Sequence, residues 1–199
     1  YKKAKAAGIK PIMGIEAYIA PGDRRERAAG KDDDRYYHLI LLAENNTGWK
    51  NLLKLTTRAN LEGFYYKPRM DKEILREHHE GLIALSACLA GEVSRAIMRG
   101  NYAEAKRAAL EYQDIFGAGN FFLEIGHHPG IKETLVSQEG LRRIARETGI
   151  SLVATQDIHY LKKEDAEVHD ILLAVQTGDT IQKADRLTLR DDDFSMRNP

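Results

Sequence analysis

Short apolar runs of strand length alternate with helical stretches along the chain, and this alternation restricts the fold more than any other feature of the sequence. It is typical of α/β proteins, in which helices cover a parallel sheet. Right-handed crossovers leave two architectures, an open doubly wound sheet or a barrel, and periodicity alone does not choose between them. The predicted strands, which we expect to lie side by side, are 12–19, 38–43, 82–86, 121–126 and 151–156.

Helices are predicted between the strands from capping residues and apolar spacing. Asn46 or Thr47 is predicted to cap the helix after 38–43, Asp71 caps another helix, and Asn101 with Glu104 three residues later resembles a capping box. Apolar residues at helical spacing predict which face of a helix packs on the sheet. These inward faces are Trp49, Leu52, Leu53 and Thr56 in the helix after 38–43, and Val168, Ile171, Leu172 and Val175 in a helix over 164–176.

Composition restricts the class of protein. Of 199 residues 43% are apolar, which is enough to bury a core. Thirty basic residues balance thirty acidic ones, so net charge gives no reason to expect DNA or an anionic membrane as a partner, and any DNA contact must be local. The single cysteine, Cys88, cannot form an internal disulfide, and no apolar run has the length of a membrane span. We therefore expect a cytoplasmic protein.

Two segments depart from the alternating pattern. Residues 21–36 are rich in Gly, Arg and Asp, which predicts a solvent-exposed, mobile loop that contributes nothing to the core. The chain begins without an initiator Met and in the middle of a predicted helix. We expect it to be a piece of a longer protein.

Metal-binding side chains occur at the ends of predicted strands, where α/β folds collect functional residues. Asp157 and His159 follow 151–156 and, two residues apart on an extended segment, would face one site. A carboxylate and an imidazole suit zinc, manganese or iron, although an Asp-x-His triplet also arises by chance. Cys88 follows 82–86, but a buried thiol without function is the simpler interpretation of a lone cysteine.

Two further candidates lie on the first two strands. Glu16 stands in the apolar run 12–19, where a carboxylate needs a cation or contact with solvent. His38 opens 38–43, and backbone groups alone could satisfy its ring. The adjacent His127 and His128 fit a polar turn before Pro-Gly and are expected, at most, to support a ligand. Three other histidines are predicted not to bind metal: His78, His79 and His169.

Together these segments resemble the PHP (polymerase and histidinol phosphatase) domain family, in the version fused to the alpha subunit of bacterial DNA polymerase III. The similar stretches cover nearly the whole chain, and ordered blocks of this length are far more specific than an isolated Asp-x-His triplet. They are YKKAKAAGIKPIMGIEAYIAPG, HLILLAENNTGWKNLLKL, LEGFYYKPRMDKEIL, GLIALSACLAGEV, VATQDIHY and DRLTLRDDDFSM.

The resemblance implies a fold and a metal site. The fold would be a distorted (βα)7 TIM-like barrel, incomplete at its N-terminus because the family's H-x-H and D-H-G motifs would lie before Tyr1. Residues 1–199 would form one PHP domain, with 178–199 beginning the link to a polymerase core. The site would hold several divalent ions, zinc first and manganese or magnesium as alternatives. The ligands carried over are Glu16, His38, Cys88, Asp157 and His159.

For function, the resemblance implies a DNA-directed DNA polymerase parent whose PHP site hydrolyses phosphodiester bonds as a metal-dependent 3′–5′ exonuclease. Its partners would be DNA, a proofreading exonuclease subunit and the sliding clamp, with no membrane, and this chain alone would be inactive. The alternative is a non-catalytic scaffold that docks the separate proofreading subunit. A free-standing PHP phosphoesterase shares the fold but fits least, because GFYYKPRMD and RLTLRDDDF belong to the polymerase form.

Overall fold

A computed structural model of the chain describes residues 1–27, 35–190 and 192–197. Within these ranges the strands are β1 Met13–Ile19, β2 Tyr37–Ala43, β3 Phe64–Tyr65, β4 Lys67–Met70, β5 Leu82–Leu85, β6 Phe121–Gly126 and β7 Leu152–Thr155. The α-helices are α1 Lys2–Ala6, α2 Asn46–Leu61, α3 Lys72–Glu77, α4 Glu92–Met98, α5 Tyr102–Phe116, α6 Lys132–Thr148 and α7 Ala166–Thr177, with a 3-10 turn at Lys163–Asp165. None of the described helices is long and apolar enough to cross a bilayer.

All seven strands belong to one sheet, in the order β3-β4-β1-β2-β5-β6-β7. The five strands predicted from sequence are therefore neighbours, as expected. The β5–β6 and β6–β7 pairs are parallel, but β2 pairs antiparallel with both β1 and β5. The prediction of a parallel sheet is wrong at β2. The described part of the connection from β1 to β2 contains no helix, and a chain that returns without a crossover helix runs antiparallel.

The sheet is open in the part of the chain that the structure describes. Its outer strands, β3 and β7, do not pair with each other. The strand β1 pairs with β4 only through Tyr18 and Ile19, so residues 13–17 have no strand partner on that side among the described residues. The fold is an α/β fold with a mixed sheet, and the expected closed barrel is not confirmed.

The two faces of β1 and β2 have different surroundings. Ala17, Ile19, Leu39 and Leu41 are buried and belong to a hydrophobic core that includes residues of α2, α4 and α5. Successive side chains on a strand point to opposite faces, so Glu16 and His38 lie on the other face of the sheet. The helices thus cover one face of these strands, and the candidate ligands lie on the opposite one.

The helix α2 presents a face that differs from the predicted one. Its cap is Asn45, whose side chain accepts a hydrogen bond from the Gly48 amide at 3.0 Å, and not Asn46 or Thr47. A Cβ at position 48 would lie 1.8 Å from the Gly81 carbonyl oxygen, so the helix backbone approaches Gly81 directly. With the helix held in this orientation, Trp49 and Leu53, which the sequence predicts to be buried, are exposed to solvent. The buried residues of α2 are Gly48, Asn51, Leu52, Leu55 and Ala59.

The helix α7 exposes the apolar stripe that the sequence predicts to be buried. Its four residues are between 46% and 72% exposed, while Asp170 and Ala174 are buried instead. Asp170 accepts hydrogen bonds from Arg186 Nη1 at 2.7 Å and from Thr188 Oγ1 at 2.8 Å. This ion pair orients the side of α7 that carries Asp170 and Ala174 inward, so the predicted face is wrong. The exposed stripe is Val168, Ile171, Leu172 and Val175.

The loop predicted over 21–36 is not solvent-exposed throughout. Arg24 is buried, and its Nη1 lies 2.9 Å from Asp71 Oδ2 and 2.7 Å from Glu73 Oε2. Arg69, also buried, donates a hydrogen bond to the carbonyl oxygen of Arg24 at 2.9 Å. The expectation of exposure is wrong for Arg24, because two arginine side chains fix the start of the loop. Residues 28–34 lie outside the described residues.

Candidate metal centre

A cavity of about 410 Å³ lies where β5, β6 and β7 end and β2 begins. It brings together residues that are far apart in the sequence. All five residues predicted as metal ligands line it, together with Glu124 and His128: the five are Glu16, His38, Cys88, Asp157 and His159.

The reversed direction of β2 places His38 in this cavity. Cys88 and Asp157 follow the ends of β5 and β7, whereas His38 is near the beginning of its strand. Because β2 runs antiparallel to β1 and β5, its first residues lie at the same edge as the ends of those strands. The His38 amide donates to the carbonyl oxygen of Ala90 at 3.0 Å, which fixes His38 beside the Cys88 turn.

Glu16, His38 and Cys88 form the tightest group. One ligand atom from each lies within 4.8 Å of the other two. His38 Nδ1 is hydrogen-bonded to Glu16 Oε1 and lies 3.9 Å from Cys88 Sγ. Carboxylate, imidazole and thiolate donors bind zinc at about 2.0 to 2.3 Å. Atoms this close together can therefore share a single ion after small side-chain movements.

The electrostatics of the cavity favour a cation. Burial raises the pKa of Glu124 and of Asp157, and neighbouring carboxylates raise both further. Burial also raises the pKa of the Cys88 thiol to about 12. The hydrogen bond from His38 lowers the pKa of Glu16. No lysine or arginine of the described chain lines the cavity, so a bound cation is what would stabilise these groups in their charged forms.

Two residues at the cavity have left-handed backbone conformations. Ala87, directly before Cys88, has a φ of 62°, and Asp157 has a φ of 52°. Such conformations cost roughly 1 to 2 kcal/mol for residues other than glycine, and they concentrate at functional sites. Asp157 therefore leaves the extended path of β7, which ends at Thr155. Asp157 and His159 both line the cavity, but the strand alternation from which this was predicted does not continue to them.

Two further residues of the lining are not among the predicted ligands: Glu124 is not predicted at all, and His128 is predicted only as a turn residue that could support a ligand. Oε1 of Glu124 accepts a hydrogen bond from Thr155 Oγ1, while its buried Oε2 has no partner in the described structure. His128 is only 6% exposed, and neither ring nitrogen has a hydrogen-bond partner in the described ranges. The position of Glu124 near the end of β6 could have revealed it, since it shares that location with Cys88. Pro-Gly after His128 favours a turn, and that local pattern does not indicate that the side chain is buried in the cavity.

The remaining histidines lie elsewhere. His78, His79, His127 and His169 are absent from the cavity lining. The ring of His169 instead contacts the ring of His159, with 5.6 Å between their centroids.

The chain is similar to a known domain family and to parts of longer bacterial proteins. The sequence profile of the PHP domain matches residues 1–128. DNA polymerase III subunit alpha of Thermus aquaticus is 46% identical over 200 residues, which cover all of this chain and 16% of the relative. The subunit alpha of Deinococcus radiodurans is 43% identical over all of this chain and 15% of its own length. That of Treponema pallidum is 42% identical over 99% of this chain and 17% of its own.

The chain thus spans about a sixth of the length of these curated relatives. The profile match contains Glu16, His38, Cys88 and His128, whereas Asp157 and His159 lie beyond it.

Proposed function

The chain belongs to the PHP domain family, and from this premise we propose that it is the PHP domain of a bacterial DNA polymerase III alpha subunit. In that parent protein, its multinuclear metal site would hydrolyse phosphodiester bonds as a 3′–5′ exonuclease. The observation that carries the proposal is the meeting of Glu16, His38 and Cys88 within 4.8 Å, in a cavity that Asp157 and His159 also line.

The donor set fits divalent ions. Glu16, His38 and Cys88 would hold one ion, and Asp157 and His159 would bind at the same cavity. Zinc is the first choice because thiolate sulfur favours it, while manganese and magnesium prefer sites built mainly of oxygen. When bound, such ions supply an activated water and stabilise the negative charge of the phosphodiester.

The side chains of the cavity are positioned to bind divalent ions. His38 is fixed by its backbone bond to Ala90 and by stacking on Tyr36, with 6.0 Å between ring centroids, so Nδ1 lies between Glu16 and Cys88. Three carboxylates line the cavity, Glu16, Glu124 and Asp157. They would repel an anionic phosphodiester unless cations neutralised them, so DNA hydrolysis at this site requires the ions.

The wider assembly is part of the same proposal. The open edge of β1 at residues 13–17 would pair with another strand of the parent chain, and the sheet would then form part of a (βα)7 barrel. A polymerase parent would act on DNA in the cytoplasm and associate with a proofreading exonuclease subunit and a sliding clamp.

A second candidate function is a non-catalytic scaffold that docks the separate proofreading subunit. The exposed stripe of α7 favours it, because contiguous apolar surface of this kind marks protein contacts. A free-standing phosphoesterase is the least favoured, since the three relatives are all polymerase subunits.

The test uses the full-length parent protein and the variant Asp157→Asn. We expect it to lose metal and roughly 100-fold or more of the exonuclease rate, with primer extension unchanged. Metal content is measured by mass spectrometry and exonuclease rate on a 3′-labelled primer. Asp114→Asn, an exposed carboxylate on α5 outside the cavity, is the matched control and should behave as the wild type. A metal-bound parent without exonuclease activity would support the scaffold instead.

A further inference from the structure

The cavity lining combines two kinds of residue. Beside the metal-binding candidates, Ile131, Leu141, Leu187 and Leu189 contribute an apolar wall. A phosphodiester group alone would contact the metal-binding candidates and leave the apolar wall unused. Ligand pockets for small molecules have about 300 to 1,000 Å³, and the cavity of about 410 Å³ lies in that range.

His128 adds a buried polar group to the cavity lining. It lines the cavity, is more than nine-tenths buried, and has neither ring nitrogen in a hydrogen bond within the described structure. A neutral imidazole offers one donor and one acceptor, and buried groups of this kind ordinarily have partners. A purely apolar ligand would leave both nitrogens unsatisfied. The edge of a nucleobase offers both donors and acceptors.

The C-terminal segment, residues 186–190 and 192–196, builds this wall. It contributes Leu187, Leu189 and Phe194 to the lining. The Phe194 ring stacks on His128, with 4.3 Å between centroids and 19° between planes. The Phe194 amide is bonded to Tyr160 Oη at 3.0 Å, and its carbonyl oxygen accepts from the His159 amide at 3.0 Å. The segment that forms the apolar wall is therefore hydrogen-bonded to the backbone of His159, a candidate metal ligand.

We propose that His128 and the apolar residues of the C-terminal segment form a nucleobase-binding subsite for the terminal nucleotide of the substrate. The inference rests on the proposed phosphodiester hydrolysis and specifies which part of the substrate the remaining cavity holds. His128 and Leu189 act in it as positioning residues. They set substrate affinity while the ions remain bound to other side chains.

The experiment compares two probes on the metal-loaded full-length parent. One is deoxyadenosine 5′-monophosphate, and the other is 2-deoxyribose 5-phosphate, which has the same phosphate and sugar without the base. We expect the nucleotide to bind at least tenfold more tightly by calorimetry. The variants Leu189→Ala and His128→Phe should each weaken nucleotide binding about five- to tenfold and leave sugar phosphate binding and metal content unchanged. His128→Phe retains a ring for stacking on Phe194, and Leu135→Ala, exposed on α6, is the control.

The outcomes separate this inference from the function on which it rests. Equal affinity for the two probes, together with metal-dependent binding of both, would overturn the base subsite and leave phosphodiester hydrolysis standing. Loss of metal in His128→Phe would overturn the positioning role, because His128 would then be a ligand. Failure of both probes to bind the metal-loaded protein would count against the inference and the proposed function together.

Discussion

At the scale of single residues, the pair Asp170–Arg186 has the clearest energetic consequence. Its side chains are 3% and 7% exposed, and Arg186 holds the pKa of Asp170 at about 2, below its ordinary value of 3.8. A carboxyl group with a lowered pKa in the folded state stabilises the protein above its unfolded pKa. That stabilisation is lost as pH falls from about 4 towards 2.

We therefore expect Asp170→Asn to destabilise the chain by about 2 kcal/mol at pH 7, since it removes a charged partner of Arg186. Thermal unfolding should show a midpoint roughly 4 to 8 °C lower. The difference should shrink as the pH falls below 4. Asp179→Asn, which removes an ion pair with the more exposed Lys183, is the control and should cost less than about 0.5 kcal/mol. A pH-independent difference would contradict the ion-pair explanation.

The candidate site was predictable where a metal-binding residue type directly follows the end of a predicted strand. Cys88 and Asp157 follow strand ends, and the sequence places both there. The burial of His128 was not predictable, because Phe194, which stacks on its ring, lies more than sixty positions later in the chain. Glu124 could have been predicted, because it is a carboxylate in an apolar strand, as Glu16 is, and lies near the end of that strand. Metal binding by the five ligands stays a prediction.

At the scale of secondary-structure elements, apolar spacing identified the helices better than it identified their inward faces. The helix α7 has a clear apolar stripe, yet the buried Asp170, which pairs with Arg186 and accepts a hydrogen bond from Thr188, decides its orientation. The rotation of α2 likewise depends on the contact of Gly48 with Gly81. The orientations of α7 and α2 are both set by contacts between residues far apart in the sequence. A local periodicity cannot predict such contacts.

The orientation of α7 can be tested with two variants of opposite expectation. Val168→Ser with Val175→Ser should change the free energy of unfolding by less than about 1 kcal/mol, because both side chains are exposed. Ala174→Leu, on the buried side of the same helix, should cost about 1 to 3 kcal/mol through overpacking. Chemical denaturation measures both. The reverse ranking would mean that the face predicted from the sequence is the buried one.

At the scale of the whole molecule, the open sheet leaves residues 13–17 of β1 without a strand on one side. Backbone amides that face this side should exchange with solvent quickly in the 199-residue chain. If the sheet is part of a barrel in the parent, the same amides should be protected there by a neighbouring strand. Hydrogen exchange of peptides covering 13–17, compared between the two proteins, tests this. Peptides from β6, which has partners on both sides, are the control. Equal exchange at 13–17 would argue against closure.

The reversed direction of β2 also has a consequence for the order in which the cavity forms during folding. Loop-closure entropy grows with the number of residues between two contacting positions. Glu16 and His38 are joined by a single antiparallel connection, whereas Cys88, Asp157 and His159 reach them only after several intervening elements have been placed. Contacts between near neighbours in sequence form earliest. If the five residues bind an ion as proposed, an ion present during refolding would meet Glu16 and His38 first, and Cys88, Asp157 and His159 would join later.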